Sequence, residues 1–191
     1  MALGYGAVPV LFSDLEGFHT KAGDILVLGI CILLALVGFN LGLSGGILEN
    51  LKNAGLRVIL FPLAAITGSL AGGAVYGMLS TLSVGEGVAI SAGFGWYTLA
   101  PSMITEAGHM VAGAVSFLHN VIREVLGIIM IPAIAGKIGC LEAVAVPGVA
   151  ATDICIPIVK KACGEDIIPY SFATGMLMCV AVPVIVPLAL S

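Results

Sequence analysis

The sequence predicts an all-α polytopic membrane protein of about six transmembrane segments, two of them broken by glycine and proline. Three observations carry that prediction. The 191 residues are 60% hydrophobic and only 9% charged, whereas soluble domains carry about 25% charged residues. Mean hydropathy is +1.18. The apolar residues also run on without interruption, unlike the short alternating segments of a membrane β-barrel. The net charge of −4 decides little, because the charges fall mostly in short loops. No basic cluster exceeds Lys160–Lys161, so nucleic acid is not an expected partner.

The chain divides into a lead segment, residues 1–23, and a single membrane domain, residues 24–191. The lead begins MALGYGAVPVLF, about half a span, and continues into the polar SDLEGFHTKAGD. It lacks a basic n-region, so a cleaved signal peptide is not expected. Six apolar segments then approach or exceed the length that crosses about 30 Å of hydrocarbon. They are Ile25–Leu43, Val58–Ser80, Gly87–Thr105, Met110–Ala135, Ala143–Val159 and Ile167–Leu190. Asn40 closes the first or faces a site. Gly68, Gly72 and Gly73 in the second suit close helix packing. Pro183 and Pro187 in the last are expected to kink or end a helix. Lys52, Arg57, Lys160 and Lys161 stand on one side and Lys21 and Lys137 on the other. The larger group belongs in the cytoplasm, which puts both termini outside.

The third and fifth segments carry the interruptions. One contains GFGWYTLAP (Gly93–Pro101) and the other PGVAATDICIP (Pro147–Pro157). A broken helix at membrane depth frees backbone N–H and C=O groups, which persist only inside protein or beside water. Secondary transporters build substrate and ion sites from such breaks.

The fourth segment holds the most informative stretch, SFLHNVIREVLGIIMIP from Ser116 to Pro132. An ionised group at bilayer depth costs about 2.5–3.5 kcal/mol or more, so it marks a function by default. Asn120, Arg123 and Glu124 stand at i, i+3 and i+4 and share one helix face. His119 joins them by lying four residues before Arg123. Arg123 and Glu124 diverge by about 100° and do not neutralise each other by adjacency. Asp153, in the second interruption, is the first candidate partner of Arg123, with Thr152 and the backbone freed around Pro147–Pro157 as the alternatives. Glu124 is then left to meet a proton or a cationic substrate, since a low-dielectric site suits a carboxyl that takes and releases protons. The competing reading is a structural ion-pair lock. Trp96 and Tyr97 sit inside the first interruption, where a cation–π or packing role competes with interfacial anchoring. Glu106 and His109 are expected at a loop edge, and Glu106 joins Glu124, Asp153, Arg123, Asn120, Trp96 and Tyr97 as a candidate substrate- or proton-binding residue.

The five cysteines form no CxxC and no metal-ligand spacing, and read as small hydrophobes. No HExxH, GxSxG or Walker loop occurs, so an enzyme is not expected, and neither is a metal or an organic cofactor. Without an ATPase motif, transport would be gradient-driven or passive, with H⁺ or Na⁺ as the coupling ion.

Taken in order, GFGWYTLAP, the Thr105-Glu106-Ala107-Gly108 turn, FLHNVIREVLGIIMIP and PGVAATDICIPIVKKACGED resemble the bacterial and archaeal lysine exporter family (LysO-like). The resemblance runs from about Leu36 to the C-terminus. It implies a multi-pass protein of the cell inner membrane that exports L-lysine and related cationic amino acids. It also implies a fold related to the cation/proton antiporter and bile-acid transporter group. The family's Arg-Glu pair falls on Arg123 and Glu124, its Asn on Asn120, its Asp on Asp153, and its aromatic pair on Trp96 and Tyr97. Two departures stand out. Family members carry further spans ahead of this region, so the resemblance implies half of a split transporter, completed by a second copy or by a short membrane partner chain. The stretch before Asp153 is also Gly148-Val149-Ala150-Ala151-Thr152, where a GATSM-like form is usual. The alternatives are a non-transporting scaffold subunit and an antiporter-like carrier of another solute.

Overall fold

A computed structural model describes residues 57–191. It also gives the helical positions Leu28, Ile32 and Phe39. The lead segment, the rest of the first apolar segment, Asn40, Lys21 and Lys52 lie outside the described residues. The chain divides into two compact units, Met1–Gly46 and Ile47–Ser191, and the fold that follows belongs to the second.

The described residues are all-α, with no strand. Three helices are long and apolar enough to cross a membrane. They are α1 (Arg57–Leu79), α4 (Met110–Lys137) and α7 (Ile168–Leu190). Between α1 and α4 lie two short helices, α2 (Val84–Ser91) and α3 (Leu99–Glu106). Between α4 and α7 lie α5 (Cys140–Ala145), a 3₁₀ turn (Gly148–Thr152) and α6 (Ile156–Cys163). Each of the 8-residue helices rises only about 12 Å, so no half of a broken segment spans the hydrocarbon alone. The third and fifth apolar segments are therefore interrupted where their Gly and Pro residues stand.

Local chemistry sets the ends. Ser83 opens α2 with a capping box: its Oγ accepts from the Glu86 N–H at 3.1 Å, and the Glu86 carboxylate accepts from the Ser83 N–H at 2.7 Å. Pro157 falls in the first turn of α6, where its missing N–H costs nothing. Lys160 and Lys161 close α6 against its negative end. Pro183 and Pro187 do not end the helix, because α7 runs through both to Leu190. A membrane helix tolerates internal proline when neighbouring helices and local adjustments re-satisfy the freed groups. Here α7 packs against α1, α2, α3, α5, α6 and the 3₁₀ turn.

The surface is apolar and the centre is small or polar. Leu60, Leu63, Met78, Ile122, Ile129, Val184 and Leu188 are exposed on the three long helices. Ser116, Asn120, Ser171 and Thr174 are buried. In lipid the outer residues lose nothing by exposure, and association rests on close packing and internal hydrogen bonds. Gly127 of α4 lies directly against Pro147, and Gly175 of α7 lies against Thr152 and the Val149 carbonyl. A tighter apolar cluster of Ile131, Val144, Cys155 and Val159 ties α4 to α5 and α6.

Candidate functional site: two broken segments clasped by one helix

The two interruptions meet. The Val149 N–H, in the second break, donates to the Phe94 carbonyl, in the first, at 2.8 Å. Gly148 has φ +71° and lies so close to that carbonyl that any side chain would collide with it. Glycine is required there on both counts. Phe94 itself is fully buried with φ +46°. A bulky residue in that region costs about 1–3 kcal/mol and persists only where its surroundings hold it.

Helix α4 supplies the hold. Ser116, Asn120, Arg123 and Gly127 recur at helical spacing and turn one face towards the breaks. Asn120 is fully buried. Its Oδ1 accepts from the Gly95 N–H at 2.7 Å, and its Nδ2 donates to the Ser116 carbonyl at 2.8 Å and to Ser116 Oγ at 3.1 Å. The amides of Gly93, Phe94, Trp96 and Tyr97 find backbone acceptors within the same turn. Every N–H from Gly93 to Tyr97 is thus paired, as membrane depth demands.

Arg123 reaches further. Its Nε donates to the Val146 carbonyl at 3.2 Å and its Nη1 to Ser69 Oγ of α1 at 3.2 Å. The guanidinium lies 5.7 Å from the centre of the Phe94 ring, a cation–π arrangement. One side chain therefore touches α1 and both breaks. Among the described residues no carboxylate stands within ion-pair distance of it.

That corrects the expected Arg123–Asp153 pair. The second break frees the Val146 carbonyl, which takes the guanidinium instead. Asp153 is exposed and turns back on its own chain, accepting from the Ile154 N–H at 2.6 Å and lying 3.5 Å from Thr152 Oγ1. Neither it nor Glu124 has a cationic partner among the described residues. Glu124 is half-buried. The polar stripe thus separates into a cationic side at Arg123 and an acidic side at Glu124 and Asp153.

The other expected residues fall as follows. Tyr97 packs edge-on against Phe117, with ring centres 6.4 Å apart, and Trp96 is half-buried beside it. The cation–π contact of Arg123 belongs to Phe94, not to this pair. Glu106 ends α3, exposed, and lines a separate cavity of about 320 Å³ with Met103, Val186 and Leu190. His109 is at a loop edge as expected, with its Nδ1 2.9 Å from Glu86 Oε1. The Ser83 backbone N–H first, and His109 second, hold the Glu86 carboxyl below the usual carboxylate range.

Sequence reasoning missed Phe94, Ser69 and Ser116, whereas the freed backbone that takes Arg123 was its alternative to Asp153. All three carried a signal: a phenylalanine between two glycines, and single serines inside apolar helices. The Ser83–Glu86 cap was also written in the chain as S-x-x-E.

The family model "Lysine exporter LysO" matches residues 1–190. The "Lysine exporter LysO" of Escherichia coli (strain K12) is 26% identical over 155 residues, covering 81% of this chain and 51% of its own length. A Haemophilus influenzae protein named "Putative lysine exporter" is 30% identical over 148 residues, covering 76% of this chain and 73% of its own. The chain thus spans about half the length of the Escherichia coli relative. No solved structure matches it. A multi-pass membrane protein with two broken segments clasped by a polar helix, the chain belongs to the lysine exporter family.

Proposed function

We propose that this chain forms the substrate-handling part of a secondary transporter that exports L-lysine and similar cationic amino acids across the cell inner membrane. The observation that carries the reading is the acidic side of the crossover. In a chain of the lysine exporter family, Glu124 is half-buried on the helix that clasps both breaks, Asp153 stands exposed in the second break, and neither has a cationic partner among the described residues. A half-buried carboxylate without a cationic partner is relieved by a cation or by a proton. That is the chemistry a carrier needs to exchange a lysine ammonium for H⁺ or Na⁺. No step requires a bond to be made or broken, so the protein acts as a carrier and not as an enzyme. The exposed apolar residues of α1, α4 and α7 meet lipid or further protein. A second copy, or a companion membrane chain, belongs to the same proposal.

Efflux of labelled lysine from preloaded cells tests it. Wild type exports lysine, and Glu124→Gln loses most of that flux. Unchanged efflux in Glu124→Gln removes Glu124 from the mechanism. Absence of any lysine-dependent flux removes the substrate. If the variant fails instead to copurify with itself or a companion, the polar stripe serves assembly. Collapsing the H⁺ and Na⁺ gradients separately identifies the coupling ion.

A further inference from the structure

Between α1, α2 and α4 lies a cavity of about 490 Å³. Its size falls within the ~300–1,000 Å³ of small-molecule sites. Most of its wall is apolar, and its polar lining is Ser69, Tyr76, Ser91, His119 and Arg123. Arg123 is the only one of these with a fixed charge. Its Nε and one Nη1 hydrogen are committed to Val146 and Ser69. A guanidinium has five N–H groups in a planar fork, so three remain. Among the described residues no carboxylate lies within ion-pair distance of it. His119 Nδ1 is buried without a hydrogen-bond partner. An unbalanced guanidinium, an unspent polar nitrogen and three hydroxyls around one void make a receptor for a planar anion, and a carboxylate matches the fork with two parallel hydrogen bonds.

We propose that this cavity binds the α-carboxylate of the transported amino acid, with Arg123 as the residue that reads it. The proposal rests on the amino-acid export reading and deepens it. The acidic side would select the cationic end of the substrate, and the Arg123 cavity would require the acid end. A basic amino acid satisfies both, whereas a diamine of the same length satisfies only the first.

Cadaverine, which is lysine without its carboxylate, is the probe. In proteoliposomes holding the purified transporter, wild type carries labelled lysine and does not carry labelled cadaverine. Arg123→Gln lowers lysine flux at least tenfold and abolishes the preference for lysine over cadaverine. Because Arg123 also ties three elements together, a second variant acts on the cavity alone. Gly72 lines the cavity, and a Cβ there would meet no heavy atom within 4 Å, so Gly72→Leu adds bulk at the cavity wall. It raises the KM for lysine severalfold while the maximal rate stays within twofold. The proposal is overturned if wild type carries cadaverine as well as lysine. It is equally overturned if folded Arg123→Gln still excludes cadaverine, or if Gly72→Leu leaves KM unchanged. Loss of all lysine flux in wild type is a different result, and sinks the export reading itself.

Discussion

The two interruptions look alike in sequence, each running from a glycine or proline across a short polar stretch, yet they are built differently. The first is closed. Residues 91–95 are buried, each amide from Gly93 to Tyr97 is paired, and the Asn120 amide fills the space beside Gly93. The second is half open. Gly148, Ala150 and Ala151 are buried against the crossover, but Asp153 and Ile154 are exposed. Asp153 spends one oxygen on its own backbone and presents the rest outward. The lesson is a division of labour: one break is fixed structure, and the other keeps an ionisable group accessible.

That contrast can be broken in order of severity. Gly148→Val drives a branched side chain into the Phe94 carbonyl at a positive φ, and its expected outcome is no folded protein in detergent, read by size-exclusion chromatography. Next comes the open side. Glu124→Gln and Asp153→Asn each lower lysine efflux tenfold or more, about 1.4 kcal/mol of barrier, while the yield of folded protein is unchanged. If either variant instead fails to fold, the second break is as structural as the first. Asn120→Ala attacks the closed side and leaves the buried Gly95 N–H unpaired, for a loss of about 1–3 kcal/mol. It lowers the unfolding temperature more than Asp153→Asn does, and the opposite ranking would dissolve the distinction.

The smallest effect lies at the loop edge, outside the crossover. Glu86 has its carboxyl held below the ordinary value by Ser83 and His109. A carboxyl lowered by folding adds stability above its unfolded pKa, and that stability is lost as pH falls through the folded value. The Glu86–His109 pair is partly exposed and is worth about 0.2–1 kcal/mol. Glu86→Gln therefore flattens the stability curve below about pH 4.5 and leaves transport at neutral pH unaltered, as thermal scans across acid pH would register.

Much of this fold was legible because membrane helices obey a length rule. The boundaries expected at Val58–Ser80, Met110–Ala135 and Ile167–Leu190 fall within a few residues of α1, α4 and α7. Gly and Pro marked both breaks for the same reason: no other cue is needed where an apolar run contains residues that resist helix. Pairing was less legible. Periodicity grouped Asn120, Arg123 and Glu124, but it does not state what a face meets. Asp153 was matched to Arg123 by charge, with the freed backbone of the same break as the alternative, and the alternative holds. Charge and periodicity do not rank a carboxylate against a freed carbonyl. The prolines of α7 do not end it, since a rule drawn from isolated helices yields when surrounding helices hold the chain.

The bond from Val149 to Phe94 gives this protein a natural gauge. An amide inside a helix exchanges its hydrogen when that helix unwinds. The Val149 amide is donated across from one interrupted segment to the other. Its exchange therefore registers separation of the two segments, even when each keeps its own shape. A deuterium label at that single position would time how often the crossover parts, with and without lysine present.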